Sequence, residues 1–257
     1  LRSLNLSNNA IESISDNVLK PLTKLRDLDL SSNSLNLQSA EGVFSGLTSL
    51  RSLDLSNNIK FPSPSKMFKG LNLKHLLLST SNFAFPDRYI LHMSNLTFLD
   101  LSNNIDVFES GFMGNSLSKC VDLIHLKMVG IKLSSIEASS IRLIRKIRIL
   151  NLSGNLLEKL DQDVFNGNSQ LLDLDLSSNK IDRLPPVLFR KTVELVVLNL
   201  SNNKLSMVQP ILFANLTKLQ VLDLSNNRLE VLSDTLFAKN VQLTTLKLNG
   251  NKIKSVR

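Results

Sequence analysis

The chain has no tryptophan, one tyrosine and one cysteine, and twelve phenylalanines supply nearly all of its aromatic character. The solitary Cys120 can close no disulfide within the chain and cannot build a cysteine-based metal site. No apolar run approaches the roughly 18–20 residues that a membrane-crossing helix requires, so no membrane insertion by these residues is expected. Leu1 falls directly on a repeat position, which leaves no leader segment at this end and suggests a piece cut from something longer. The G-x-x-x-x-G-K-[ST], G-x-S-x-G and H-E-x-x-H patterns are all absent. Asp residues follow a strand register instead of converging on a pocket. The expectation is a binding protein with no catalytic residue, no cofactor and no metal. A formal net charge of +8, from 30 basic and 22 acidic residues, permits an anionic partner without demanding one.

What the chain has in abundance is leucine, at fixed intervals. The pattern L-x-x-L-x-L-x-x-N-x-L begins at positions 1, 25, 50, 73, 96, 123, 147, 171, 195, 219 and 243. The whole of 1–257 reads as a single solenoid of eleven repeats, with no terminal caps. In each copy L-x-L alternates with period two and predicts one short strand with its Leu pair inward. About 24 residues separate successive strands, enough for a return segment. Phe44, Phe68, Phe165, Phe189, Phe213 and Phe237 mark the second half of the coil. No return segment holds two turns of helical periodicity. The fold expected is therefore a leucine-rich repeat solenoid, a curved horseshoe. A parallel β-sheet lines its concave face, with loops and short helical turns on the convex face.

The ninth position is Asn in nine copies, from Asn9 to Asn251, and departs only at Ser81 and Ile131. A tight inward turn leaves backbone N–H and C=O groups away from water. A primary amide offers both donors and an acceptor, and is expected to satisfy such groups in its own coil and the next. Ser81 keeps a hydroxyl; Ile131 keeps nothing polar. The uneven repeat spacings (25, 23, 23 and 27) fall in the same middle region, where a change of pitch or a bulge is expected.

The segments "GVFSGLTSLRSLDLSNN" (42–58) and "ILFANLTKLQVLDLSNNRL" (211–229) resemble the 24-residue "typical" leucine-rich repeat. The extracellular kind is the nearest, as in Toll-like receptor ectodomains and the adhesion protein chaoptin. The resemblance implies an interior slice of an ectodomain that recognises a ligand or protein, of innate-immune receptor type. A structural or cell-adhesion protein packing laterally against partners is the alternative. It further implies an extracellular, secreted or cell-surface location, or an endosomal lumen. The partner would be a protein ligand or a like receptor chain, in a homo- or heterodimer; an anionic or nucleic-acid ligand is a further reading.

Positions two, three, five, seven and eight of each copy should face the concave side. Copies one to three put Arg2, Arg26 and Arg51 beside Asp29 and Asp54. Copies four to six present Lys74, His75, Leu77, Phe98, Ile124, His125, Lys127 and Val129. This mixed apolar and basic set is the candidate contact patch, with Phe98 as its anchor. His75 and His125 share the third position two copies apart, about 10 Å, too far for joint metal ligation. In "IRLIRKIRIL" (141–150) the isoleucines at 141, 144 and 147 should point inward. Arg142, Arg145, Lys146 and Arg148 then point outward, as a solvated edge or an anion site, and Arg148 joins the candidate contacts. Cys120 occupies a slot filled elsewhere by Leu22, Leu47, Ile144 and Leu216 and should be buried.

Five N-x-S/T sequons occur. Asn95 and Asn215 lie at the end of a return segment and are the better candidate glycan sites. Asn5, Asn151 and Asn199 are fifth-position residues where "NLS" is also a spelling of the repeat itself. Glycans on Asn151 and Asn199 would obstruct the sheet face from the seventh copy onward.

Overall fold

The computed structural model describes residues 1–37, 42–58, 67, 68, 70–81, 93–105, 117 and 119–256. They fall into two compact units that meet in sequence between Ile131 and Lys132. The return segments that produce the uneven spacings lie largely outside the described residues.

Among its described residues the first unit contains six three-residue strands: β1 (Ser3–Asn5), β2 (Asp27–Asp29), β3 (Ser52–Asp54), β4 (His75–Leu77), β5 (Phe98–Asp100) and β6 (His125–Lys127). All pair in parallel, each with the next, and equivalent repeat positions lie opposite one another. The second unit repeats this with β7 (Ile149–Asn151), β8 (Asp173–Asp175), β9 (Val197–Asn199), β10 (Val221–Asp223) and β12 (Thr245–Lys247). A minor parallel pair, β11 (Val231–Leu232) with β13 (Ser255–Val256), sits on a return. Among the described residues helix is confined to α1 (Asp16–Leu19), α2 (Ala138–Arg142) and α3 (Pro210–Phe213). Pro210 opens α3, where a missing N–H costs nothing. Among the described residues no helix is long and apolar enough to cross a membrane.

The leucine register sets the core. Leu53, Leu76, Leu99, Leu126, Leu150, Leu174 and Leu198 are fully buried between half-exposed or exposed neighbours, the alternation a strand imposes. The opposite wall is phenylalanine: Phe165 stacks on Phe189 and Phe213 on Phe237, each with centroids 6.2 Å apart. Cys120 is buried, and burial pushes its thiol up to about 12. Ile141, Ile144 and Ile147 are fully buried, so the residues between them turn outward.

The ninth-position Asn does bridge coils, but to the preceding one and not the next. Asn179 donates to the carbonyls of Leu176 and Ser177 in its own coil and of Leu152 in the coil before. Its Oδ1 accepts the N–H of Leu157, also in the coil before, at 3.0 Å. Asn33, Asn58, Asn203 and Asn227 repeat the arrangement. Sequence spacing alone is silent on this direction. In its place Ser81 keeps half of the function, its hydroxyl donating to Leu55 O of the preceding coil. Ile131 is buried. It is flanked by two left-handed residues, Gly130 (φ 62) and Lys132 (φ 59), where the other coils show one among the described residues. The turn of the sixth copy is thus rebuilt around an apolar residue, at the boundary between the two units.

The carbonyl of Leu152 also accepts from Asn155, and that of Leu176 from Asn203. Ser177 O also accepts from Gly154 N. The group that Asn179→Ala leaves without a partner is therefore the buried Leu157 N–H. A loss of about 2 kcal/mol in unfolding free energy is expected. Ser81→Ala, whose partner Leu55 O keeps Asn58, should cost about 1 kcal/mol. Chemical denaturation of both variants checks the order.

Candidate functional site

Two devices shape the sheet face before any ligand is considered. The fifth-position side chain accepts from the seventh-position Ser: Asp29 from Ser31, Asn151 from Ser153, Asn199 from Ser201 and Asp223 from Ser225. The eighth position is left-handed throughout, from Asn8 (φ 55) to Gly250 (φ 70), and is Asn, Ser or Gly in every copy but the fourth, which has Thr80 (φ 52). Positions seven and eight thus hold the turn instead of simply presenting side chains. The recurring D/N-L-S carried this signal. In the sixth copy Lys127 cannot accept, and the Val129 N–H goes instead to Ser102 Oγ of the coil before, at 3.2 Å.

Within the first unit, β4, β5 and β6 bring three third-position rings into one column. His75 meets the edge of Phe98 at 6.2 Å, and His125 lies 4.6 Å from Phe98 on the other side, inclined by 71°. Lys127 Nζ stands 5.7 Å over the same ring, within cation–π range. Phe98 is half-buried by this company, with its ring shared among two imidazoles and an ammonium. Leu77 lies in register between Asp54 and Asp100 on the neighbouring strands, and Ile124 is 39% exposed beside the column. Lys74 is exposed at the second position; its backbone carbonyl accepts from Thr97 and Phe98. Eight of the nine candidate contacts therefore belong to this unit. Arg148, exposed on the strand approach to β7, belongs to the second.

Burial of the imidazole, and then the nearby Lys127, holds His125 below its ordinary value of 6.5, against the opposing pull of Asp100. The folded state therefore takes up this proton less readily than the unfolded chain. The His125 contribution to stability is intact above pH 6.5 and is lost as the pH falls below it. His125→Phe keeps the ring contact and removes the titration. Thermal unfolding between pH 7.5 and 5.5 should show the variant losing less stability on acidification than the parent. An identical pH dependence would assign the acid sensitivity to another group.

The second unit's sheet face is itself partly apolar. Ile149, Leu172, Val196, Val197 and Val221 stand half-exposed at second and third positions. Burial, and then Asp175, raises Asp173 above the usual carboxylate value. Burial acts the same way on Asp223, but its hydrogen bonds from Ser225 and the ion pair with Lys247 at 3.2 Å outweigh it, and the net shift is downward.

Of the sequons, Asn5, Asn95 and Asn215 are exposed; Asn151 and Asn199 are half-buried and engaged by their serines. Asn95 donates to Asn72 Oδ1 and Asn215 to Arg190 O.

Parallel three-residue strands with inward leucines, and an amide tying most coils to the one before, define a leucine-rich repeat solenoid with little helix among the described residues. The family described as Leucine rich repeat matches residues 1–59, 145–205 and 193–253, more than half of the chain, and the chain belongs to it. Among particular proteins, osteomodulin of Rattus norvegicus is 28% identical over 201 residues, covering 68% of this chain and 46% of that protein. A chain of the Drosophila Toll–Spatzle complex superposes with a TM-score of 0.84 and 27% identity, over 100% of this chain and 34% of its own length. Internalin InlF of Listeria monocytogenes (TM-score 0.69, 23% identity) matches 100% of this chain and 76% of its own. A chain of the TLR13–ssRNA13 complex (0.62, 20%) matches 100% of this chain and 50% of its own. These last two share the fold. The chain spans about half the length of its curated relative.

Proposed function

We propose that this chain is the recognition solenoid of an extracellular structural or adhesive leucine-rich repeat protein, which holds a protein partner against its sheet face. On this reading 1–257 is one run of eleven repeats, and its role is binding without catalysis. The observation that carries the reading is the His75–Phe98–His125 column capped by Lys127. A half-buried aromatic ring among groups with spare hydrogen-bonding capacity is the composition of an interface centre. Identity to osteomodulin supports the structural role, and the two exposed NLT sequons support the extracellular setting.

Beads coated with the secreted chain should adhere to one another or to matrix laid down by cultured cells. Phe98→Ala should cut that adhesion about tenfold or more with little change in Tm. Undiminished adhesion in the variant would remove the patch from the account. A second reading, an innate-immune receptor ectodomain, is favoured by the likeness to the Toll–Spatzle complex over the full chain. It predicts no adhesion between coated beads, and saturable capture of a soluble protein ligand that Phe98→Ala weakens.

A further inference from the structure

The second unit carries a basic ribbon that the sheet-face reading does not use. Ile144 N donates to Ile141 O at 3.1 Å and Ile147 N to Ile144 O at 3.2 Å, two consecutive turns of three residues each. Side chains three apart in such turns lie on one side of the chain. With the three isoleucines fully buried, the residues that follow each of them, Arg142, Arg145 and Arg148, are all exposed.

The ribbon is gripped from the coil that follows. Asn168 Nδ2 donates to both Ile141 O and Ile144 O, each at 3.0 Å, and ties down the two carbonyls that define the turns. Gly167 lets that coil approach so closely that a Cβ there would collide with the Arg142 carbonyl and meet the stem of its side chain. The arginines are therefore mounted on a fixed backbone, which lowers the ordering cost of binding a ligand.

Among the described residues their charges are also uncompensated. Elsewhere in the unit Arg190 meets Asp163 at 2.9 Å, Lys218 meets Glu194 at 2.6 Å and Lys247 meets Asp223. No described carboxylate forms an ion pair with Arg142, Arg145 or Arg148. The positions opposite them one coil on are Asn166, Ser169 and Leu172, none of them acidic.

We propose that Arg142, Arg145 and Arg148 form a docking strip for a sulfated polysaccharide. Planar guanidinium groups suit sulfate as they suit carboxylate and phosphate, and three in a row suit a linear polyanion. Single-stranded nucleic acid is disfavoured because base stacking needs exposed aromatic rings, whereas Phe165, the aromatic of the gripping coil, is fully buried. The choice of a polysaccharide over other polyanions rests on the extracellular setting proposed above.

The test compares binding to immobilised heparin at about 150 mM salt for the parent chain and two variants of equal charge. One is Arg142→Ala/Arg145→Ala/Arg148→Ala; the other, Arg228→Ala/Lys239→Ala/Lys252→Ala, removes three exposed cations from the last two coils, away from the ribbon. The ribbon variant should lose about tenfold or more in affinity and show a shallower salt dependence, and the control should change less than about twofold. Equal losses in both variants would reduce the effect to net charge and overturn the strip. Tighter, ribbon-dependent binding of a single-stranded RNA oligonucleotide than of heparin would overturn the polysaccharide assignment. Ribbon-dependent heparin binding by a chain whose native form carries no glycan would sustain the strip while failing the extracellular reading.

Discussion

Phe189→Ala is expected to lower the unfolding free energy by about 3–5 kcal/mol, the cost of removing a large ring from a close-packed site. Phe189 is fully buried and stacks on Phe165 of the adjacent coil, so the cavity opens at a junction between coils. In a solenoid each coil is stabilised mainly by its neighbours, and loss of one junction should also erode cooperativity. The denaturant midpoint should fall and the m-value should drop or the transition split. A loss below about 1 kcal/mol with an unchanged m-value would mean that the phenylalanine wall is not a principal support of the returns.

The second large effect is expected from Gly167→Ala. A single methyl group there runs into the backbone carbonyl of Arg142, which cannot rotate away as a side-chain tip could. Forcing the two coils apart should cost on the order of 3 kcal/mol and strain both hydrogen bonds of Asn168. Because those bonds hold the ribbon, the same variant should weaken heparin binding even at temperatures where it remains folded. A Gly167→Ala protein of parental stability would contradict the close approach on which the rigid mounting depends.

The strands, the buried leucines and the burial of Cys120 and Ile141 follow from spacing, because period-two alternation within a 24-residue period leaves few ways to fold. The histidine–phenylalanine column was legible for the same reason: His75, Phe98 and His125 share a repeat position, and parallel in-register pairing brings equal positions together. Three things were not legible. The direction of the Asn bridge depends on how far the turn reaches back, which the repeat leaves undetermined. The amide clamp of Asn168, echoed by Asn240, was hidden because the same slot holds Leu22, Leu47, Cys120, Ile144 and Leu216 and reads as apolar. The capping of seventh-position serines was masked by its own regularity, since D-L-S and N-L-S look like face residues in every copy. Arg148 joined the candidate contacts as an outward residue of 141–150, and it lies in the other unit.

On the proposed reading these residues face the extracellular space and keep the sheet face free for a partner. Glycopeptide mass spectrometry on native material tests it most directly. Glycan is expected on the exposed Asn95, Asn215 or both, and none on Asn151 and Asn199, which are half-buried in strands of the sheet face. Bare asparagines at all five sequons would contradict the extracellular assignment, and glycans on Asn151 and Asn199 would contradict a sheet face left open for binding.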